Sequence, residues 1–237
     1  MSTVRTSPKV WTIDSPKWEG RKGVIWVVIL FLIGFAILWI GAHEISDLRD
    51  VRYPLYFGWE VDIPFQPWAL WIYLPHDFII LFAALMFRNW REATPFYATL
   101  VVQIAIAFPF FILVPIEPGY QNEMATGVWG TYGFEMIGMK NISQWNHMPS
   151  LHVSYVFVLG TVIGQRYGLW GWIVGMGWAV LVSATTMLVH EHHVICVVGG
   201  LLLYLFTMWT VFPWFKQKCG LGIDGRDLTL LKQPSSS

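Results

Sequence analysis

The chain reads His147-Met148-Pro149-Ser150-Leu151-His152 at one point and His190-Glu191-His192-His193 at another. Five of its seven histidines lie in these two clusters. Near neutral pH an imidazole serves as base, acid, nucleophile or metal ligand. Both clusters sit at the mouths of long apolar segments, where a titratable group is unfavourable unless it has a partner or a task. They are the candidate site. Pro149 suits the first turn of a helix, where its missing N–H is not needed. The free N–H groups of Ser150, Leu151 and His152 would then form an anion site, because a helix N-terminus attracts negative charge. Zinc is a second reading, with His147, His190, His192 and His193 as ligands. It lacks the His-Glu-x-x-His spacing that puts two ligands on one helical face.

The elements that must position these residues are membrane spans. Hydrophobic residues make up 55% of the chain and charged residues 13%, with fifteen tryptophans. A bilayer core takes roughly 20 apolar residues per helix. Six segments qualify: 24–43, 68–87, 95–116, 149–165, 169–189 and 193–214. The fold predicted is an all-α bundle of six transmembrane helices. It has a cytoplasmic N-terminal segment (1–23), a membrane domain (24–214), a cytoplasmic tail (215–237) and an outward-facing loop cap. Residues 53–67 mix proline, aromatics, Glu60 and Asp62 and read as an interfacial re-entry. The tail beyond Phe215, rich in Gly, Asp and Ser, reads as mobile.

Basic residues orient the bundle. Arg5, Lys9, Lys17, Arg21 and Lys22 precede the first span, Arg88 and Arg91 follow the second, and Arg166 follows the fourth. Lys216, Lys218, Arg226 and Lys232 follow the sixth, while the opposite side holds Arg49, Arg52 and Lys140 alone. Both termini are therefore expected in the cytoplasm, and the histidines face a periplasm, lumen or exterior. The first apolar run is too long for a signal-peptide core and reads as an anchor. The connection 117–148 carries Tyr120, Trp129, Tyr132, Phe134 and Trp145 and is expected to pack as the cap. It also holds the sequon Asn141-Ile142-Ser143. Gly160, Gly164, Gly171 and Gly175 form small-xxx-small pairs suited to close helix contact. Net charge is zero, with no basic stripe for nucleic acid.

The spacing of Pro149-Ser150-Leu151-His152, Thr185, His192 and Gly200 resembles the type 2 phosphatidic acid phosphatase superfamily. Its signatures are Pro-Ser-Gly-His and Ser-Arg, five residues, His, three residues, Asp. The Pro-Ser-Leu-His form looks most like the branch of inositol phosphorylceramide synthases and related lipid phosphotransferases. The resemblance covers residues 60–205. It implies a nucleophilic His192 that forms a phosphohistidine, and His152 as general acid and then base. Pro149, Ser150, Leu151, Thr185, Thr186, His193 and His147 would line the substrate. No metal and no other cofactor is implied. Cys196 stands where the family has its orienting Asp, and Thr186 where it has Arg. A site without phosphate-binding cations suits a singly charged phosphodiester better than a monoester.

The expectation is thus a membrane lipid phosphotransferase or phosphatase acting on lipid phosphoesters, with head-group transfer favoured. The alternative is a member impaired by Cys196 that binds or transports lipid without turnover. His76 and Asp77, inside the second span, read as a structural pair.

Overall fold

The computed structural model describes residues 10–13, 15–117, 119–120 and 145–228. Most of the expected cap lies outside the described residues, including Trp129, Tyr132, Phe134 and the Asn141 sequon.

The described residues are helical, with two isolated β-bridges, Tyr53 to Ile116 and Leu221 to Asp227. Five helices are long and apolar enough to cross a membrane, not six. They cover Gly20–Asp47, Pro67–Met86, Trp90–Leu113, Leu151–Leu188 and Val194–Cys219. We name α1 (Gly20–Asp47), α2 (Leu70–Tyr73), α3 (Pro75–Phe82), α4 (Trp90–Leu113), α5 (Leu151–Leu188), α6 (Val194–Trp209) and α7 (Val211–Cys219).

The difference in count lies in α5, which joins the segments expected at 149–165 and 169–189. The joint is Gly168, at φ 69 and ψ −149 inside an otherwise helical run. That conformation is open to glycine and closed to most side chains. The chain folds back there. A Cβ at position 160 would lie 2.7 Å from the Gly175 carbonyl oxygen, and one at 175 would lie 2.8 Å from the Gly160 oxygen. In a straight helix these residues would stand about 22 Å apart. α5 is therefore a helical hairpin whose limbs touch through glycine backbone. Its two ends meet on the same face of the molecule.

The second span is broken. Pro75 offers no N–H and cannot continue the ladder from α2, so α3 starts afresh at that residue. The break puts Tyr73 and His76 on the buried side. α4 is capped by Asn89, whose side chain accepts the Glu92 N–H at 3.1 Å. α1 packs along α4, with Phe31 against Tyr97 and Trp39 against Phe111.

At the Gly168 end of the hairpin, the fully buried Glu92 carboxylate gathers two cations. Arg166 Nη2 lies 3.0 Å from one oxygen and Arg88 Nη2 lies 2.6 Å from the other. The Asp227 N–H donates to the same carboxylate at 3.2 Å, and Asn89 donates to the Asp227 side chain at 2.9 Å. The stretch after Phe215 was expected to be mobile. Through Leu228 it is instead docked, because a buried carboxylate needs every donor it can recruit.

Candidate functional site

Ser150 caps the start of α5, and its Oγ accepts the Val153 N–H at 3.3 Å. Pro149 therefore lies just before the helix, not inside its first turn. At the far end of the hairpin the chain turns sharply through His190, whose φ is 60. The N–H groups of Glu191 and His192 both donate to the Thr186 carbonyl, at 2.9 and 3.1 Å. Because α5 folds back, its first turn and the link to α6 are neighbours. His152 Nδ1 and His192 Nε2 share a hydrogen bond of 2.9 Å. The two histidines singled out by the sequence thus touch, forty positions apart in the chain.

The ring of His147 packs edge-on to that of His192, with centroids 5.6 Å apart. Burial first, then the imidazoles of His152 and His147, hold the His192 ring well below the usual histidine range. It is neutral near pH 7 and keeps one ring lone pair. The Tyr73 hydroxyl lies 3.2 Å from His152 Nε2, and the His76 ring meets the His152 ring edge-on at 4.8 Å.

Two helix N-termini, those of α5 and α6, lie beside these histidines, and that of α6 is already occupied. The Val194 N–H donates to Glu60 Oε2 at 3.0 Å. The α5 end has also lost one donor, since the Ser150 N–H donates to the Cys196 carbonyl at 3.0 Å. Leu151 and His152 remain as first-turn donors, which have no partner inside their own helix.

His193, expected to line the substrate, has both ring nitrogens bonded within the protein, as a strut would. Gly119 N–H donates to its Nε2 at 3.1 Å, so Nδ1 carries the hydrogen and donates to Glu60 at 2.8 Å. Tyr56 and Tyr120 stack on its two faces, at 4.8 and 4.4 Å. Glu60 is fully buried, and the Phe57 N–H completes its bonding at 3.0 Å. Glu60 was missed as a site-building residue. A single acid in an aromatic stretch gives no spacing signal, and its partner is 133 positions away.

Thr185 and Thr186 are buried, and their hydroxyls donate to Val182 and Ser183 carbonyls of the same helix at 2.8 Å. Their part is to hold the turn. Cys196 is buried and acts through its carbonyl. His192 Nδ1 is buried without a hydrogen-bond partner among the described residues. Gly200 lets α6 approach, since a Cβ there would lie 2.5 Å from the Ser150 carbonyl oxygen.

The zinc set read from the sequence is not brought together. His190 Nε2 is bonded to the Ile63 carbonyl at 2.8 Å, and both nitrogens of His193 are taken. A different group, His76, Asp77 and His152, places its donor atoms within 4.8 Å of one another. Comparison with protein-family models, curated proteins and solved structures finds no match for this chain.

Proposed function

We propose that the chain is a multi-pass membrane phosphotransferase or phosphatase acting on lipid phosphoesters. The observation that carries this reading is the 2.9 Å contact between His152 Nδ1 and His192 Nε2, at the mouth of an apolar bundle. The motif likeness to the type 2 phosphatidic acid phosphatase superfamily supports it.

In the first step the His192 lone pair attacks phosphorus and the ester P–O bond breaks. His152, protonated, gives its proton to the leaving oxygen. In the second step an acceptor hydroxyl or water surrenders a proton to His152 and attacks phosphorus. The P–N bond breaks and His192 is restored. The first-turn N–H groups of Leu151 and His152 hold the phosphate oxygens as charge builds. Arg166, on the same limb, is about 21 Å away along the helix. The lack of a nearby cation on this limb favours a singly charged diester, hence head-group transfer. Limbs 151–167 and 169–188 each reach the roughly 17 residues a span needs. Each would then cross once, with both chain termini cytoplasmic and the site on the outer face.

The test is turnover of defined lipid phosphodiesters and monoesters by purified protein in mixed micelles. His192→Ala and His152→Ala should each lower kcat by at least about a thousandfold, as loss of a nucleophile or its acid–base partner does. Unchanged turnover in either variant rejects the mechanism. The orphaned His192 Nδ1 favours the second reading, an impaired member that binds lipid. Under that reading the wild type turns over neither ester. Cys196→Asp would then either raise turnover, marking an impaired enzyme, or leave it absent, marking a binder.

A further inference from the structure

Behind the two touching imidazoles lies a second set of donors. His76 is 1% exposed and opens the buried face of α3. Its Nδ1 is hydrogen-bonded to the Tyr73 carbonyl. A carbonyl oxygen only accepts, so Nδ1 carries the hydrogen and a neutral ring presents its lone pair at Nε2. That Nε2 has no aligned hydrogen-bond partner among the described residues, yet it lies 3.0 Å from Asp77 Oδ1. A proton on Nε2 would make this contact an ion pair, and a metal ion can take that proton's place between the two atoms. His152 completes the group, with all three donor atoms within 4.8 Å of one another.

We propose that His76, Asp77 and His152 form a binding site for a divalent transition-metal ion, with Zn²⁺ the best match. Two imidazoles and a carboxylate suit zinc and its neighbours, whereas Mg²⁺ and Ca²⁺ prefer all-oxygen sets. The bond from His76 to the Tyr73 carbonyl is the outer contact that usually fixes a metal-bound histidine in place. The Asp77 side chain is 44% exposed, which leaves room for a further ligand. The site does not rest on the phosphoryl-transfer reading. His192 engages His152 Nδ1, so a metal would take Nε2 in place of its 3.2 Å contact with the Tyr73 hydroxyl.

The experiment uses the full chain purified in detergent, stripped with chelator and titrated with ZnCl₂ or CoCl₂. Bound metal is measured by mass spectrometry and by Co²⁺ ligand-field absorption. The expected result is one ion per chain, with visible Co²⁺ bands that Zn²⁺ abolishes. His76→Gln and the near-isosteric Asp77→Asn should weaken binding by at least the roughly 10–100-fold that loss of an outer partner causes. His43→Gln, on α1, should bind like wild type. A wild-type protein that shows no Co²⁺ bands and no stoichiometric metal overturns the site, with no variant needed. Equal metal binding in folded Asp77→Asn and His76→Gln overturns it too. The readout is metal content, so loss of turnover in His192→Ala bears on the catalytic reading alone.

Discussion

Glu191 stands between His190 and His192 in the turn that brings the two site histidines together. Burial first, and the Asp77 carboxylate second, push its carboxyl up from 4.5 to about 7. A raised carboxyl keeps its proton in the folded protein over a range where the unfolded chain has released it. Its contribution to stability is therefore full below about pH 4.5 and is lost as pH rises to about 7. Glu191→Gln removes the titration. In detergent, wild-type Tm should fall relative to the variant between pH 5 and about 7.5. Parallel Tm curves across that range would show that the carboxyl is not raised. At this scale the sequence singled out His152 and His192, which the structure brings into contact, because a Pro-Ser-x-His helix start and a downstream histidine are local patterns. It did not reveal Glu60 or the strut role of His193. Those depend on pairing across 133 positions, which no local pattern encodes.

At the scale of elements the hairpin α5 sets the site, since its fold-back puts residue 152 beside residue 192. The apolar runs of both limbs were legible, and so were the glycines that join them. What the sequence did not show is that a single glycine reverses the chain, so that two expected spans form one continuous element. The glycine contact gives a paired prediction. Gly175→Leu drives a side chain into the Gly160 backbone, which cannot move aside as a side-chain tip can. It should cost about 1–3 kcal/mol or more, as overpacking does, and should lower turnover by displacing His152 from His192. Gly177→Ala, two residues on, meets nothing within 4 Å. It should be neutral or stabilise by up to about 1 kcal/mol through helix propensity. Thermal unfolding of the two variants side by side is the measurement. Equal melting temperatures would mean that the limbs do not touch at Gly160 and Gly175.

Taken whole, the molecule is polarised. One end gathers Arg88, Arg166 and Asp227 around the Glu92 carboxylate, and the other gathers the histidines. The proposed orientation rests on charge. Arg88, Arg91, Arg166, Lys216, Lys218 and Arg226 lie at the Glu92 end, and only Arg49 and Arg52 of the described basic residues flank the histidine end. Positive charge is retained on the cytoplasmic side during insertion. Ile223, 93% exposed, should then face the cytoplasm, and Asp62, in the exposed stretch before the second span, should face outward. Single Ile223→Cys and Asp62→Cys variants, both with Cys196→Ser and Cys219→Ser, separate the possibilities with a membrane-impermeant maleimide. Sealed right-side-out vesicles should label position 62 alone, and inverted vesicles position 223 alone. The opposite pattern would turn the histidines toward the cytoplasm and make the inner leaflet the source of any lipid phosphoester they meet. Labelling of both positions from one side would mean an even number of crossings between them, in place of the five that separate crossing by the limbs of α5 requires.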